Sequence, residues 1–105
     1  MARFLVLWCR SPTAWPTDPA EYSKLLQKIG TVIDNNIKKG EIKEHGHFLD
    51  GTSGYTIWEA EATDIFRNLS MTVPYYEYEV HEIIPYEKSR EILRAVFKLA
   101  EATKK

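Results

Sequence analysis

Three titratable side chains occupy alternate positions in the segment 74–85, the spacing that places residues on one face of a β-strand. They are Glu77, Glu79 and His81. An imidazole beside a carboxylate can move a proton between two atoms of a bound molecule, because histidine titrates near neutral pH and an apolar cleft raises the pKa of a carboxylate. The pattern predicts either a proton-transfer site formed by His81 with Glu79, or a strand face open to water.

Large aromatic side chains elsewhere in the chain are candidates for the walls of such a site. Trp8 and Trp58 lie in two other apolar segments, and flat rings of this size suit a ring-shaped ligand. Trp15 lies in a proline-rich loop, where it is either a lid over the site or an anchor for the loop. We expect Glu77 to contact the same ligand if its strand face points towards these rings.

His45 and His47 are two residues apart on another predicted strand, so they share a face. They can supply two ligands of a metal ion with His81 as a third, or His47 can orient a ligand and assist proton transfer. We favour the second interpretation, because a His-x-His pair alone is unspecific. The single cysteine, Cys9, excludes a thiolate cluster, and the glycines of the segment 50–54 form a turn without the lysine of a phosphate loop. We therefore predict no metal and no cofactor.

The bulk properties are those of a single domain that covers residues 1–105. A net charge of −1 without a long basic run argues against nucleic acid as a partner. The longest apolar run, Phe4 to Cys9, is too short to cross a bilayer and lacks the features of a signal peptide. We expect no membrane partner and, with one cysteine and no intrachain disulfide, a cytoplasmic protein.

The periodicity of apolar residues predicts four strands and three helices. The first helix has clear ends, since Asp18 can cap it, Pro19 suits its first position and Gly40 suits its end. The predicted elements, in chain order, are strand 3–10, helix 19–39, strands 41–49 and 55–61, helix 63–69, strand 74–85 and helix 86–103. The order predicts an α+β, ferredoxin-like βαββαβ fold: a four-stranded antiparallel sheet, with strands one and three central, two helices on one face, and an added C-terminal helix.

The helix-free face of this sheet is predicted to need a cover. Strands one and three are apolar on both sides, so neither side suits water. We place Phe4, Val6, Trp8 and Trp58 on the helix-free face, where together they would expose a patch of a few hundred Å² that monomers rarely tolerate. Either the C-terminal helix folds over this patch or a second subunit does. We favour a homodimer, or a multiple of dimers, in which two sheets face each other across a two-fold axis.

Part of the chain resembles a known family. The run Gly54 to Ala60, then Asp64, then Pro74 to Val80, is similar to the hairpin, helix and last strand of muconolactone isomerases and of small proteins in the same dimeric α/β-barrel superfamily. The resemblance covers roughly residues 41–86, whereas the loop 11–18 and the C-terminal helix depart from it. It implies a ferredoxin-like protomer, paired sheets that form a barrel, and a ligand cleft between sheet and partner.

Three functions are consistent with these observations. The first is binding of a small aromatic or carboxylated metabolite with a cofactor-free, isomerase-type proton transfer through His81 and Glu79, assisted by His47. The second is a non-catalytic ligand-binding or dimerisation protein. The third is a cofactor-free monooxygenase that confines an electron-rich substrate between tryptophan rings. An enclosed pocket that holds His81 and at least one carboxylate favours the first, a filled sheet face without a cavity the second, and a dry pocket with a single histidine and no carboxylate the third.

Overall fold

A four-stranded antiparallel sheet forms the body of the protein, and three helices accompany it. The computed structural model describes residues 2–103. Its elements are β1 (Arg3–Arg10), α1 (Pro19–Lys38), β2 (Ile42–His47), β3 (Ser53–Glu59), α2 (Ala62–Ser70), β4 (Tyr76–Ile83) and α3 (Tyr86–Thr103). The strand order is β2-β3-β1-β4, so the α+β class and the central position of β1 and β3 agree with the prediction.

The ends of α1 follow from local side-chain chemistry. The backbone N–H of Glu21 donates to the Oδ2 of Asp18 at 3.1 Å, which satisfies one of the N–H groups that the first helical turn leaves unpaired. Gly40 follows the helix with a φ of 79°, a left-handed conformation that glycine adopts without steric cost. Inside the helix, the amide nitrogen of Asn36 donates to the Oδ1 of Asn68 at 3.0 Å and so joins α1 to α2.

The core lies between the sheet and the two helices α1 and α2. Its buried members come from β1, β2, β3, the residue directly after β3, and α2; in that order they are Val6, Ile42, Trp58, Ala60 and Ile65. Phe4 packs against them, and Trp8 is only 7% exposed on the same face. The prediction that Phe4, Val6, Trp8 and Trp58 form the helix-free face is therefore wrong. Both sides of β1 are apolar, so alternation along the strand identifies which residues share a face but not which face the helices cover.

The opposite, helix-free face of the sheet carries the alternate residues of each strand. The half-buried residues of its centre are apolar or aromatic: Leu5, Leu7, Cys9, Tyr55 and Ile57. The acidic row of β4 borders them, because the β1–β4 register sets Leu7 beside Glu79 and Leu5 beside His81. No helix among residues 2–103 covers this face, and its apolar centre remains available to a second subunit.

The last helix, α3, projects from the body of the protein. The chain extends 70 Å along its longest axis against 28 Å and 23 Å along the others, and no residue of α3 is buried. One side of α3 is nonetheless apolar, and large side chains such as Phe97, at 62% exposed, lie open to solvent. The sequence predicts the bounds of α3 correctly, but its apolar side finds no partner within the described residues.

Among residues 2–103, there is no helix with the length and apolarity needed to cross a membrane.

Candidate functional site

A cavity of about 260 Å³ lies between the sheet and the helices α1 and α2. The sheet supplies a floor of aromatic rings and α1 supplies an aliphatic roof, in which Gly30 leaves an opening where a side chain would stand. Most of the lining is apolar or aromatic: Val6, Trp8, Leu26, Ile29, Gly30, Val32, Ile33, Trp58, Leu69, Tyr76 and Tyr78. The polar lining residues are Arg10, Asn36, His45, His47, Thr56, Asn68 and Thr72. Apolar walls with a few converging polar groups are the usual composition of a small-molecule site.

Trp8 is the centre of the cavity floor. Its ring is stacked on the ring of His45, with centroids 5.6 Å apart and an angle of 12° between the planes. His47 and Tyr76 meet the same indole edge-on, at 5.2 Å and 5.4 Å. Gly54 lies beside Trp8 in the β1–β3 register, and a side chain on Gly54 would overlap the six-membered ring of the indole. The missing side chain therefore allows the indole to lie flat against β3.

The indole N–H of Trp8 is buried and has no hydrogen-bond partner among the residues that the structure describes. A buried donor without an acceptor costs free energy, and native structures usually provide a protein or solvent partner for such a group. Trp15 provides the contrast, since its own indole N–H donates to the backbone oxygen of Tyr75 at 2.8 Å. An acceptor atom on a molecule inside the cavity would satisfy the donor of Trp8.

Arg10, the last residue of β1, lines the cavity and contacts the loop that follows the strand. The guanidinium carbon of Arg10 lies 5.0 Å from the centre of the Trp15 ring and 5.7 Å from that of Tyr22. A terminal N–H of Arg10 donates to the hydroxyl of Tyr22, whereas its Nε is buried without a partner. Trp15 also packs edge-on against Tyr76, with ring centroids 5.5 Å apart. Trp15 therefore anchors this loop and contacts the cavity through its neighbours, while the lid role stays a prediction.

The two histidines of β2 differ in their surroundings. The Nδ1 of His45 shares a hydrogen bond with the hydroxyl of Thr56 at 2.7 Å. Burial, and in second place the nearby His47, lower the pKa of His45 below its usual value, so its ring is neutral at pH 7. His47 is more exposed and lies at the rim of the cavity. A neutral imidazole can accept or donate a hydrogen bond to a ligand without adding charge to the site.

Two tyrosines of β4 complete the floor. The hydroxyls of Tyr78 and Thr72 are hydrogen-bonded to each other, and burial raises the pKa of Tyr78 to about 12. Burial also raises the pKa of Tyr76. Both phenols are protonated at neutral pH, so they act as hydrogen-bonding groups and ring surfaces, not as bases.

The acidic face of β4 is separate from this cavity. The Nε2 of His81 lies 2.9 Å from the Oε2 of Glu79, but the two side chains are 55% and 67% exposed. Glu77 accepts a weak hydrogen bond from the thiol of Cys9 at 3.7 Å. Partial burial and then the carboxylate of Glu77 raise the pKa of Cys9, which makes the thiol less reactive. The predicted pair of His81 and Glu79 exists, but it points away from the helices.

The structure therefore divides the predicted site residues into two groups. Trp8, Trp58 and His47 meet at the cavity, whereas the β4 group of Glu77, Glu79 and His81 lies on the other side of the sheet. The expectation that this acidic row faces the tryptophans is wrong, because β1 pairs Trp8 with Tyr78 and so puts the indole on the tyrosine face of β4. Whether any of these residues acts on a ligand stays a prediction.

Sequence reasoning missed several residues that line the cavity. His45 was predicted only as half of a metal pair, and no role in a site was predicted for Gly30. The sequence does offer Arg10, a cation at the end of the first strand that either binds a ligand carboxylate or extends to solvent, and its spacing of two residues from Trp8 puts the two side chains on one face. Within residues 2–103, no group of three or more His, Cys, Asp or Glu side chains has the arrangement of a metal site.

Comparison with known proteins adds no assignment. No protein-family model matches the chain, and no curated protein sequence matches it.

Proposed function

We propose that the protein binds a small planar molecule, aromatic or carboxylated, in the cavity between its sheet and the helices α1 and α2. The observation that carries the proposal is the unpaired indole N–H of Trp8, on a residue only 7% exposed that lines a cavity of about 260 Å³. A donor without a partner among the described residues is costly in an apolar cavity unless a ligand or a water molecule supplies the acceptor.

The size and the walls of the cavity support a compact ring system as the ligand. Its volume of about 260 Å³ is just below the ~300–1,000 Å³ of sites for drug-sized molecules, so one or two fused rings fit it best. Trp8 and Tyr76 present ring surfaces at right angles, which suits stacking on one side of a ligand and edge contact on another.

Two kinds of chemistry extend this proposal. An isomerase-type proton transfer, as the resemblance to muconolactone isomerases implies, would use His47 and the neutral His45 at the cavity. His81 and Glu79 lie on the other face of the sheet and take no part in a transfer at this cavity. A cofactor-free monooxygenase is the second candidate, because the described lining contains no carboxylate, although it has two histidines where the sequence criterion for this function was one. A cavity of this composition can hold an electron-rich ring without placing a carboxylate base beside it.

A titration with 2-naphthoate tests the binding proposal. Because two tryptophans line the cavity, we expect a saturable change in tryptophan fluorescence at micromolar to low millimolar probe. The variants Glu79→Gln and His81→Ala serve as controls, since both residues lie on the other face of the sheet. They should bind the probe with unchanged affinity, and a wild-type protein without any saturable response to planar probes contradicts the proposal.

We also propose a ferredoxin-like protomer that associates as a homodimer in the manner of dimeric α/β barrels. The apolar centre of the helix-free face, which includes Leu7 and Ile57, supports this assembly. The apolar side of α3 supports it too, because Leu93, Val96 and Phe97 are each more than half exposed in the single chain. A monomer rarely keeps so much apolar surface in water.

Sedimentation at micromolar protein tests the dimer. We expect the wild-type chain to sediment as a dimer or a multiple of one, and the double variant Leu93→Asp/Phe97→Asp to shift to monomer. Burying each of these side chains contributes about 1.5–3 kcal/mol, so losing both should weaken association by about 100-fold or more. Ala95→Asp, on the polar side of the same helix, is the matched control and should remain a dimer. A wild-type chain that stays monomeric contradicts the assembly.

A further inference from the structure

We propose that the ligand of the cavity is an anion whose carboxylate is held by the guanidinium of Arg10 and the indole N–H of Trp8, an inference that rests on the proposed binding function. Arg10 then sets the orientation of the ligand, with its charged end towards the loop 11–18 and its rings over the floor of the cavity.

Arg10 is a cation without a counter-ion. Of the described residues that line the cavity, none is Asp or Glu, and no ion pair joins Arg10 to a carboxylate in the described part of the chain. Arg3, at the other end of the same strand, shows the usual arrangement, with its guanidinium 2.6 Å from the Oε2 of Glu59. A partly buried guanidinium without an acidic partner is a binding site for an anionic group.

The guanidinium is held in place before any ligand arrives. Rings of Trp15 and Tyr22 lie 5.0 Å and 5.7 Å from its central carbon, and the hydroxyl of Tyr22 accepts one of its terminal N–H groups. Its Nε remains buried and unpaired. Stacking and one fixed hydrogen bond restrict the side chain, so binding an anion there costs little further conformational entropy.

The two unpaired donors belong to one strand face. Trp8 and Arg10 are two residues apart on β1, which separates their Cα atoms by about 7 Å on the same side of the sheet. Both residues line the cavity. A carboxylate in this part of the cavity can accept from a terminal N–H of the guanidinium with one oxygen and, after a small shift of the indole that uncovers its N–H, from Trp8 with the other.

Arg10 also carries a charge that is permanent at neutral pH. Burial lowers the pKa of His45, so that ring is uncharged at neutral pH and cannot replace the guanidinium as the attraction for an anion. The buried phenols of Tyr76 and Tyr78 are protonated and likewise carry no charge. An acid should therefore be preferred over its neutral amide.

Comparing 2-naphthoate with 2-naphthamide tests this inference, since the two probes share their ring system and differ in charge. At pH 7.5 and low salt, we expect wild-type protein to bind the acid at least ~10-fold more tightly than the amide, the range of a hydrogen-bonded charge. Equal affinities would overturn the anion site but leave the cavity as a binding site. Failure of both probes to bind would overturn the binding function itself and the anion site with it.

Three arginine variants complete the experiment. Arg10→Gln should lose at least ~10-fold in affinity for the acid and little for the amide. Arg10→Lys keeps the charge without the planar fork and should recover part of the loss. Arg3→Gln removes a guanidinium from the same strand outside the cavity, and it should bind both probes as the wild type does. A variant Arg10→Gln that still prefers the acid to the same degree would contradict the inference even if its stability were altered.

Discussion

Replacing Gly54 with alanine is expected to lower the free energy of unfolding by about 2–4 kcal/mol, the upper range for overfilling a well-packed interior. Gly54 is buried on β3 between Trp8 of β1 and His47 of β2. A methyl group there would overlap both the backbone oxygen of Gly46 and the indole of Trp8. Because a backbone atom cannot rotate away, the strand or the indole must shift, and the floor of the cavity shifts with it.

Urea denaturation at one fixed protein concentration measures this effect, and two other glycines provide controls. Alanine at Gly46 would stand 2.7 Å from the ring of Tyr55, a half-buried side chain that can swing aside, so we expect a loss of about 1 kcal/mol. Alanine at Gly30 meets nothing within 4 Å and should stabilise α1 by about 0.5–1 kcal/mol. A protein that tolerates Gly54→Ala as well as Gly30→Ala would contradict the placement of Trp8.

Replacing Gly30 with leucine is expected to abolish binding of 2-naphthoate without harming the fold. Gly30 lines the cavity from the middle of α1, and the space where its side chain would stand is open. Leucine is among the best helix formers, so the helix gains roughly 0.5–1 kcal/mol while the branched side chain fills the chamber. We expect at least a ~100-fold loss of affinity, because the leucine side chain occupies the space of the ligand and must move out of the cavity before the ligand can bind.

Gly30→Ala is the matched control for this variant, since it makes the same change in helix propensity with a single methyl group. It should retain most of the wild-type affinity when both are titrated by tryptophan fluorescence. Gly30→Leu protein with raised stability and unchanged affinity would mean that the probe binds elsewhere on the molecule.

The sequence predicts most of the fold because local signals are strong. The cap at Asp18, the end at Gly40 and the bounds 86–103 of α3 all follow from short-range chemistry. The side of the sheet that the helices cover depends on long-range packing. For β1, whose two faces are both apolar, no pattern within the strand distinguishes Trp8 from Leu7 as the residue beneath the helices.

The register of the β2–β3 hairpin was out of reach for a similar reason. If the predicted strands 41–49 and 55–61 paired from the ends next to their loop, Leu49 would lie opposite Tyr55 and Gly46 opposite Trp58, whereas the structure pairs Gly46 with Tyr55. An irregularity between Ile42 and Glu44 adds a residue to one strand of the pair, and no sequence pattern marks it. Among the cavity residues, the tryptophans were found from their type alone and Arg10 shares a face with Trp8 by its spacing, but placing Trp58 on that face required the β1–β3 pairing.

The most direct test of a ligand in this cavity is the ¹H–¹⁵N spectrum of the three tryptophan indoles, with the signal of Trp8 assigned from a Trp8→Phe variant. On saturation with 2-naphthoate, the Trp8 signal should move downfield, because its unpaired N–H gains an acceptor. The Trp15 signal should move less, because its N–H already donates to Tyr75. A saturated complex in which the Trp8 signal keeps its position would contradict the account.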